Sequence, residues 1–148
     1  MDFFVRLDGA KELEKKLASL ESKVSKKVVR KAVRMAQKPV LAKIKANALS
    51  MVGGEMGSLI AKNLQLKTGK QKKGSYRIGV QIREEVAAFV DNSDAGVQYY
   101  IPAAVEFGHD NAAAIPFMRN AHESTRQIAE NIFAQEIKLG IDSIAKGK

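Results

Sequence analysis

Residues able to do chemistry are few in this sequence, and most gather in its last third. Glu106 and His109 stand three apart with Asp110 next to them, which places two carboxylates and one imidazole in a single short stretch. Such a set can hold a divalent cation, but it lacks the ligand spacing of zinc and iron motifs, and a surface loop is the plainer reading. His122 lies beside Glu123 in a segment of helical periodicity, where an exposed or capping role is expected. The absence of cysteine removes a thiolate nucleophile, a disulfide framework and a cysteine zinc site. Serines occur singly, with no Gly-x-Ser-x-Gly elbow. The stretch MVGGEMGS at 51–58 lacks the Gly-Lys-Ser/Thr ending of a phosphate-binding loop and reads instead as a flexible glycine-rich loop. No convergent reactive set emerges, so neither catalysis nor a cofactor is expected.

One acid has structural interest. Glu106 sits between Val105 and Phe107 in a stretch otherwise apolar from Ile101 onward. If buried, its carboxylate needs a partner, and Arg119, at the start of the next helical segment, is the candidate. The alternative, a Glu106 facing solvent at the end of a segment, stays open at this level. Gly108 offers the positive φ of a turn directly after Phe107.

The chain carries 25 Lys and Arg against 16 Asp and Glu, a formal charge of +9. The excess is segregated: residues 11–45 hold 12 basic and 3 acidic residues, 62–83 hold 7 basic and none acidic, and 84–148 hold 5 basic and 10 acidic. This polarity suits a nucleic-acid partner, and equally identical subunits packed basic face on acidic face. Lys70, Lys72 and Lys73 crowd one turn and are candidate contacts for phosphate or for a partner. Tyr76 is the one aromatic residue near them, so base stacking is not favoured. No run reaches the length and apolarity of a membrane-spanning helix, and the opening MDFFVRLDG lacks the features of a secretory signal, so no membrane partner is expected.

The elements that position these residues follow from periodicity. Residues 3–7 alternate loosely as a short strand, and Asp8-Gly9 supplies a cap and turn. A long helix is predicted from Ala10, with Leu13, Leu17, Leu20, Val24, Val28, Met35 or Ala36, Val40 and Ile44 on one stripe and a kink or break at Pro39. Residues 10–38 alone would span about 43 Å, against a radius of gyration of about 15 Å for a compact chain of this size. Part of that stripe is therefore expected to be covered by another subunit. Strands are predicted at 59–68 and 76–82, joined by a basic hairpin tip at 69–74, with a third at 86–91. A closing helix should run from about Pro116 to the 139–144 region, with Phe117, Met118, Ala121, Ile128, Ile132, Phe133, Ile137, Leu139 and Ile141 at helical spacing. The fold class is α+β: one domain over 1–148, with a small antiparallel sheet of three to four strands packed by a long N-terminal helix and a C-terminal helix.

Two segments taken together resemble a known signature. Tyr100-Ile101-Pro102-Ala103-Ala104-Val105-Glu106-Phe107-Gly108-His109, followed after a short loop by Pro116-Phe117-Met118-Arg119-Asn120-Ala121-His122-Glu123, looks like the Tyr-Ala-x-x-Val-Glu-Phe-Gly-Thr and Pro-Phe-(Leu/Met)-Arg-Pro-Ala segments of the HK97 gp10-like family of tailed-bacteriophage proteins. The opening Leu7-Asp8-Gly9-Ala10-Lys11-Glu12-Leu13, with Leu17 and Leu20, is similar to that family's start to a lysine-rich helix. His109 and Asn120 depart from the family's threonine and proline, and its Thr-Gly-x-Leu is reduced to Met56-Gly57-Ser58-Leu59.

The resemblance implies a structural protein of a phage or prophage tail or neck. It implies a tail-completion or tail-terminator role at the head–tail junction, in a homo-oligomeric ring, commonly of six, against adjacent neck or tail-tube proteins. It also implies residence in the virion after assembly in the host cytoplasm. Tyr100, Glu106, Phe107, Gly108, Pro116, Phe117 and Arg119 would then be the fold or interface motif. The charge count, separately, makes Lys70, Lys72 and Lys73 candidates to line a lumen and meet DNA, or to meet the adjacent neck protein. The competing reading is a non-specific nucleic-acid-binding protein that uses its basic N-terminal half.

Overall fold

The computed structural model describes residues 18, 22–69, 76–83, 86–91 and 99–147. The expected strand at 3–7, the start of the first helix and the lysines at 70, 72 and 73 lie outside them.

The first described helix, α1 (Ser22–Asn47), buries Ala32, Ala36, Val40 and Ile44, at spacings of four, and leaves Lys26, Lys27, Lys31, Lys38 and Lys43 exposed. It continues through Pro39 as one helix, so of the expected kink or break the break does not occur. Proline removes one backbone donor, but most helix stability in a folded chain comes from burial of the apolar face. Here Ala36 and Val40 are buried on either side of the proline.

A turn of π-helix, Ala48–Val52, follows, closed by the Gly53 N–H donating to the Ala48 carbonyl at 3.0 Å. Then comes α2 (Gly54–Asn63). The segment 51–58, expected to be a loop, is thus helical on both sides of Gly53. Its glycines make a corner: Gly53 has φ 69°, and an added Cβ on Gly57 would lie 2.4 Å from the Ala48 carbonyl oxygen. Glycine here lets one helix start against the end of another.

The predicted strand at 59–68 is half helix. Gly57, Ile60, Ala61 and Leu64 are buried at a helical period, so the extended chain begins only at β1 (Leu64–Thr68). β1 pairs antiparallel with β2 (Ile78–Ile82) in the register Leu64↔Ile82 to Thr68↔Ile78, the predicted hairpin.

The third strand does not join this sheet. Residues 87–89 form a 3-10 turn that drives Phe89 fully into the core. β3 (Val90–Asp91) then pairs with β4 (Tyr99–Tyr100) as a separate ladder. The expected sheet of three to four strands is therefore a two-stranded sheet with a second two-residue ladder beside it.

α3 (Ile101–Phe107) and α4 (Phe117–Ala145) complete the described chain. α4 lies antiparallel along α1, as contacts of Val28 with Gly140, Lys31 with Glu136 and Asn47 with Phe117 require. Its buried face is Phe117, Met118, Ala121, Thr125, Ala129 and Ile137. Ile128 and Leu139, among the apolar positions at helical spacing, are 51% and 52% exposed, because the buried stripe passes through Thr125 and Ala129. The architecture is α+β, with α1 packed against α4 and against both strands of the hairpin.

Candidate functional site at the Glu106–Arg119 junction

Over 99–119 the sequence predicts a run of apolar residues around one acid from Ile101, a short loop after Gly108 and a helix from Pro116. The structure makes it a helix, a turn and a second helix. Pro102 occupies the first turn of α3, where its missing N–H costs nothing. Tyr100, the residue before α3, is half-buried, and its ring meets Phe89 edge-on with centroids 6.0 Å apart.

Gly108 ends α3 with φ 75°, donating its N–H to the Ala104 carbonyl at 2.8 Å. A Cβ at this position would lie 2.8 Å from the Ala114 nitrogen, so only glycine fits. His109 and Ala112 exchange backbone hydrogen bonds at 3.0 Å each, and the Ile115 N–H returns to the Val105 carbonyl at 2.7 Å. These bonds fold 109–115 back against α3 and set Pro116 as the N-cap residue of α4.

Proline has no side-chain acceptor, and Pro116 makes no side-chain cap bond. Glu106 supplies that function from the neighbouring helix. Its carboxylate is fully buried. Oε2 accepts from the Met118 N–H at 2.9 Å, and Oε1 accepts from the Arg119 N–H at 3.0 Å and from Arg119 Nε at 3.3 Å. Arg119 Nη2 also donates to the Glu106 carbonyl at 3.3 Å. The positive end of the α4 dipole and three donors therefore converge on one anion. Of the two alternatives left by the sequence, Glu106 is the buried, paired one, and Arg119 is its partner.

Phe107 and Phe117 point to opposite environments. Phe117 is fully buried, and its carbonyl accepts from the Asn47 side chain at 3.0 Å, which ties the end of α1 to the start of α4. Phe107 is 56% exposed, and the Arg119 guanidinium lies over its ring, 5.4 Å from the centroid. One arginine thus holds the buried carboxylate with one edge and an exposed aromatic with its face.

The junction does not have the form of a catalytic centre. Both oxygens of Glu106 are engaged by fixed donors, and the residue is closed to solvent. His109 and Asp110 are exposed, and no cluster of three or more metal-ligating side chains occurs among the described residues. His122 is half-buried on α4; burial pushes its pKa below the usual value, Arg126 lowers it further, and Glu123 opposes both. Asn47 and Gly57 were not singled out from sequence. A polar side chain on the apolar stripe of α1 was the available signal for Asn47.

Comparison with known families places the chain. Residues 11–92, more than half of it, match the family model described as "Bacteriophage HK97-gp10, putative tail-component". The chain belongs to the HK97-gp10-like family. No curated protein and no solved structure matches it. The family match covers α1, the π-helical turn, α2 and the β1–β2 hairpin, and it ends before Glu106. The gp10-like chain is a phage tail component by that match, whereas the role of its Glu106–Arg119 junction rests on the geometry above.

Proposed function

We propose that this tail component completes or terminates the tail at the head–tail junction, as a ring of identical subunits, six in number, that docks on adjacent neck or tail-tube proteins. Membership in the family over residues 11–92 is the observation that carries the reading. The surface supports it. Ile128 and Leu139 are exposed on α4, and eleven residues of helix bring them to within about 20° of one side. Leu49 is 54% exposed at the π-helical turn, and Phe107 extends from the junction. Single exposed apolar residues are ordinary, but two on one side of a helix offer a face for a neighbouring subunit.

In this reading the protein works by shape and makes or breaks no bonds. Lys70, Lys72 and Lys73 line the lumen and meet DNA through phosphates, without reading sequence. Virions carrying all three as glutamine should assemble poorly or lose DNA; normal assembly and retention would remove the lumen contact.

The reading as a whole is tested by labelling the protein in purified particles and by electron microscopy of the purified chain. Label at the neck and annular particles are expected. Label confined to another part of the virion, or a turnover abolished by replacing Glu106 or His109, would overturn it.

A further inference from the structure

α1 holds nine Lys and Arg and no Asp or Glu in its 26 residues. Lys27, Arg30, Arg34 and Lys38 are exposed, and Lys45 is half-buried. At 3.6 residues per turn these five fall within an arc of about 80°, and Lys27 stands about 27 Å from Lys45 along the axis. The opposite face, Ala32, Ala36, Val40 and Ile44, is locked into the core, so the row is held in one direction. Like charges three and four residues apart oppose helix formation.

Among the described residues the surroundings offer little compensation. Lys31, on the flank of the row, meets Glu136 at 3.4 Å, and it is the α1 cation with a carboxylate partner among the described residues. β1 and β2, which also pack on α1, contain no acid. Glu130 of α4 is held by Arg126 at 3.0 Å, and Glu55 of α2 is exposed.

We propose that this face of α1 is a docking surface for the phosphate backbone of duplex DNA. The proposal goes beyond tail completion and requires no ring. A membrane surface fits poorly, since interfacial helices insert an apolar face and that face of α1 is buried. Among the described residues a second copy presents no matching acidic row. The exposed acids among the described residues, Glu55, Asp110, Glu123 and Asp142, are dispersed and form no row to match five cations. Duplex DNA presents one charge per about 1.7 Å of axis, a continuous array against which a rigid cationic rod can lie. The five-residue row contains no aromatic ring, so the contact reads phosphate and is independent of sequence.

The test is fluorescence anisotropy of the full chain with a duplex of arbitrary sequence, titrated at salt concentrations from about 50 to 200 mM. Five phosphate contacts give a log–log slope near −4.5, or about a 500-fold loss of affinity across that range. The variant K27Q/R30Q/R34Q/K38Q should flatten the slope by about 3.6. The variant K62Q/K67Q/K138Q/K146Q loses as many exposed charges elsewhere and should keep the wild-type slope to within about one unit. Circular dichroism establishes that both variants fold.

Equal slopes in the two variants, or a wild-type slope shallower than about −2, would overturn the proposal. So would low-salt self-association, seen by light scattering without DNA and abolished by the α1 variant while DNA affinity is unchanged. Failure of the tail reading is separately visible, as absence of the wild-type protein from the neck while duplex binding stands.

Discussion

Replacing Glu106 tests whether the junction is held by a helix cap or by an ion pair. Its carboxylate takes two backbone N–H groups of α4 and one N–H of Arg119. In Glu106→Gln the side chain keeps its shape, but one oxygen becomes an NH2 group that faces a donor. At least one N–H then loses its acceptor, at about 1–3 kcal/mol. In Glu106→Ala both backbone donors lose their partner and a cavity opens, at about 3–5 kcal/mol. In Arg119→Ala the carboxylate keeps both backbone bonds, and the lost group is 46% exposed, so about 1 kcal/mol is expected after solvent screening. The order of stability is therefore wild type, Arg119→Ala, Glu106→Gln, Glu106→Ala.

Urea unfolding followed by circular dichroism reads these differences as midpoint shifts at constant slope. The double variant Glu106→Gln/Arg119→Ala completes the cycle. Most of the cost of Glu106→Gln should persist in the Arg119→Ala background, because that cost resides in backbone donors. If it disappears there, or if Arg119→Ala alone is as damaging as Glu106→Ala, the capping argument is wrong and the ion pair holds the junction.

Three further outcomes follow from close approaches and from one titrating group. Gly57→Ala places a methyl 2.4 Å from the Ala48 carbonyl oxygen, and forcing the two helices apart should cost about 1–3 kcal/mol, measured as a lower urea midpoint. Gly140→Ala meets the side chain of Val28 at 2.5 Å; Val28→Ala should relieve that clash and leave Gly57→Ala unrelieved, so a double variant no better than the sum of its parts refutes the contact. His122 has a folded pKa below its ordinary 6.5, so the unfolded chain takes up its proton first as pH falls. Its contribution is whole above about pH 6.5 and is lost as pH drops toward the folded value. The wild-type midpoint minus that of His122→Gln should therefore fall between about pH 7 and 5; a flat difference refutes the assignment.

The long-period features of the fold were legible in the sequence. Ala36, Val40 and Ile44 repeat often enough to specify a buried face, and the 64–82 hairpin announces itself by alternation interrupted by glycines. Glu106 was legible as a conflict, an acid amid apolar residues, and its partner followed from the one cation near the next helix start. Features set by a few atoms were not. Pro39 argues locally for a break, and the apolar face of α1 overrides it. Gly53 and Gly57 carry one meaning as linker residues and another as the contact point of two helices, and the choice depends on Ala48, which sequence does not place beside them. Residues 101–107 hold too few turns for periodicity to reveal a helix. Thr125 and Ala129, small and unremarkable in sequence, take the buried stripe that larger Ile128 and Leu139 seemed to claim.

The antiparallel packing of α1 on α4, fastened by Asn47 to a carbonyl 70 residues away, bears on how the chain is made. A ribosome releases α1 long before the last helix exists to cover it, and non-local pairings of this kind delay folding until the distant segment arrives. During that interval Val40 and Ile44 lack their final neighbours, and the dense cations of the same helix keep nascent copies apart by mutual repulsion. The basic charge of α1 thus opposes contact between such unfinished copies, whatever it later meets.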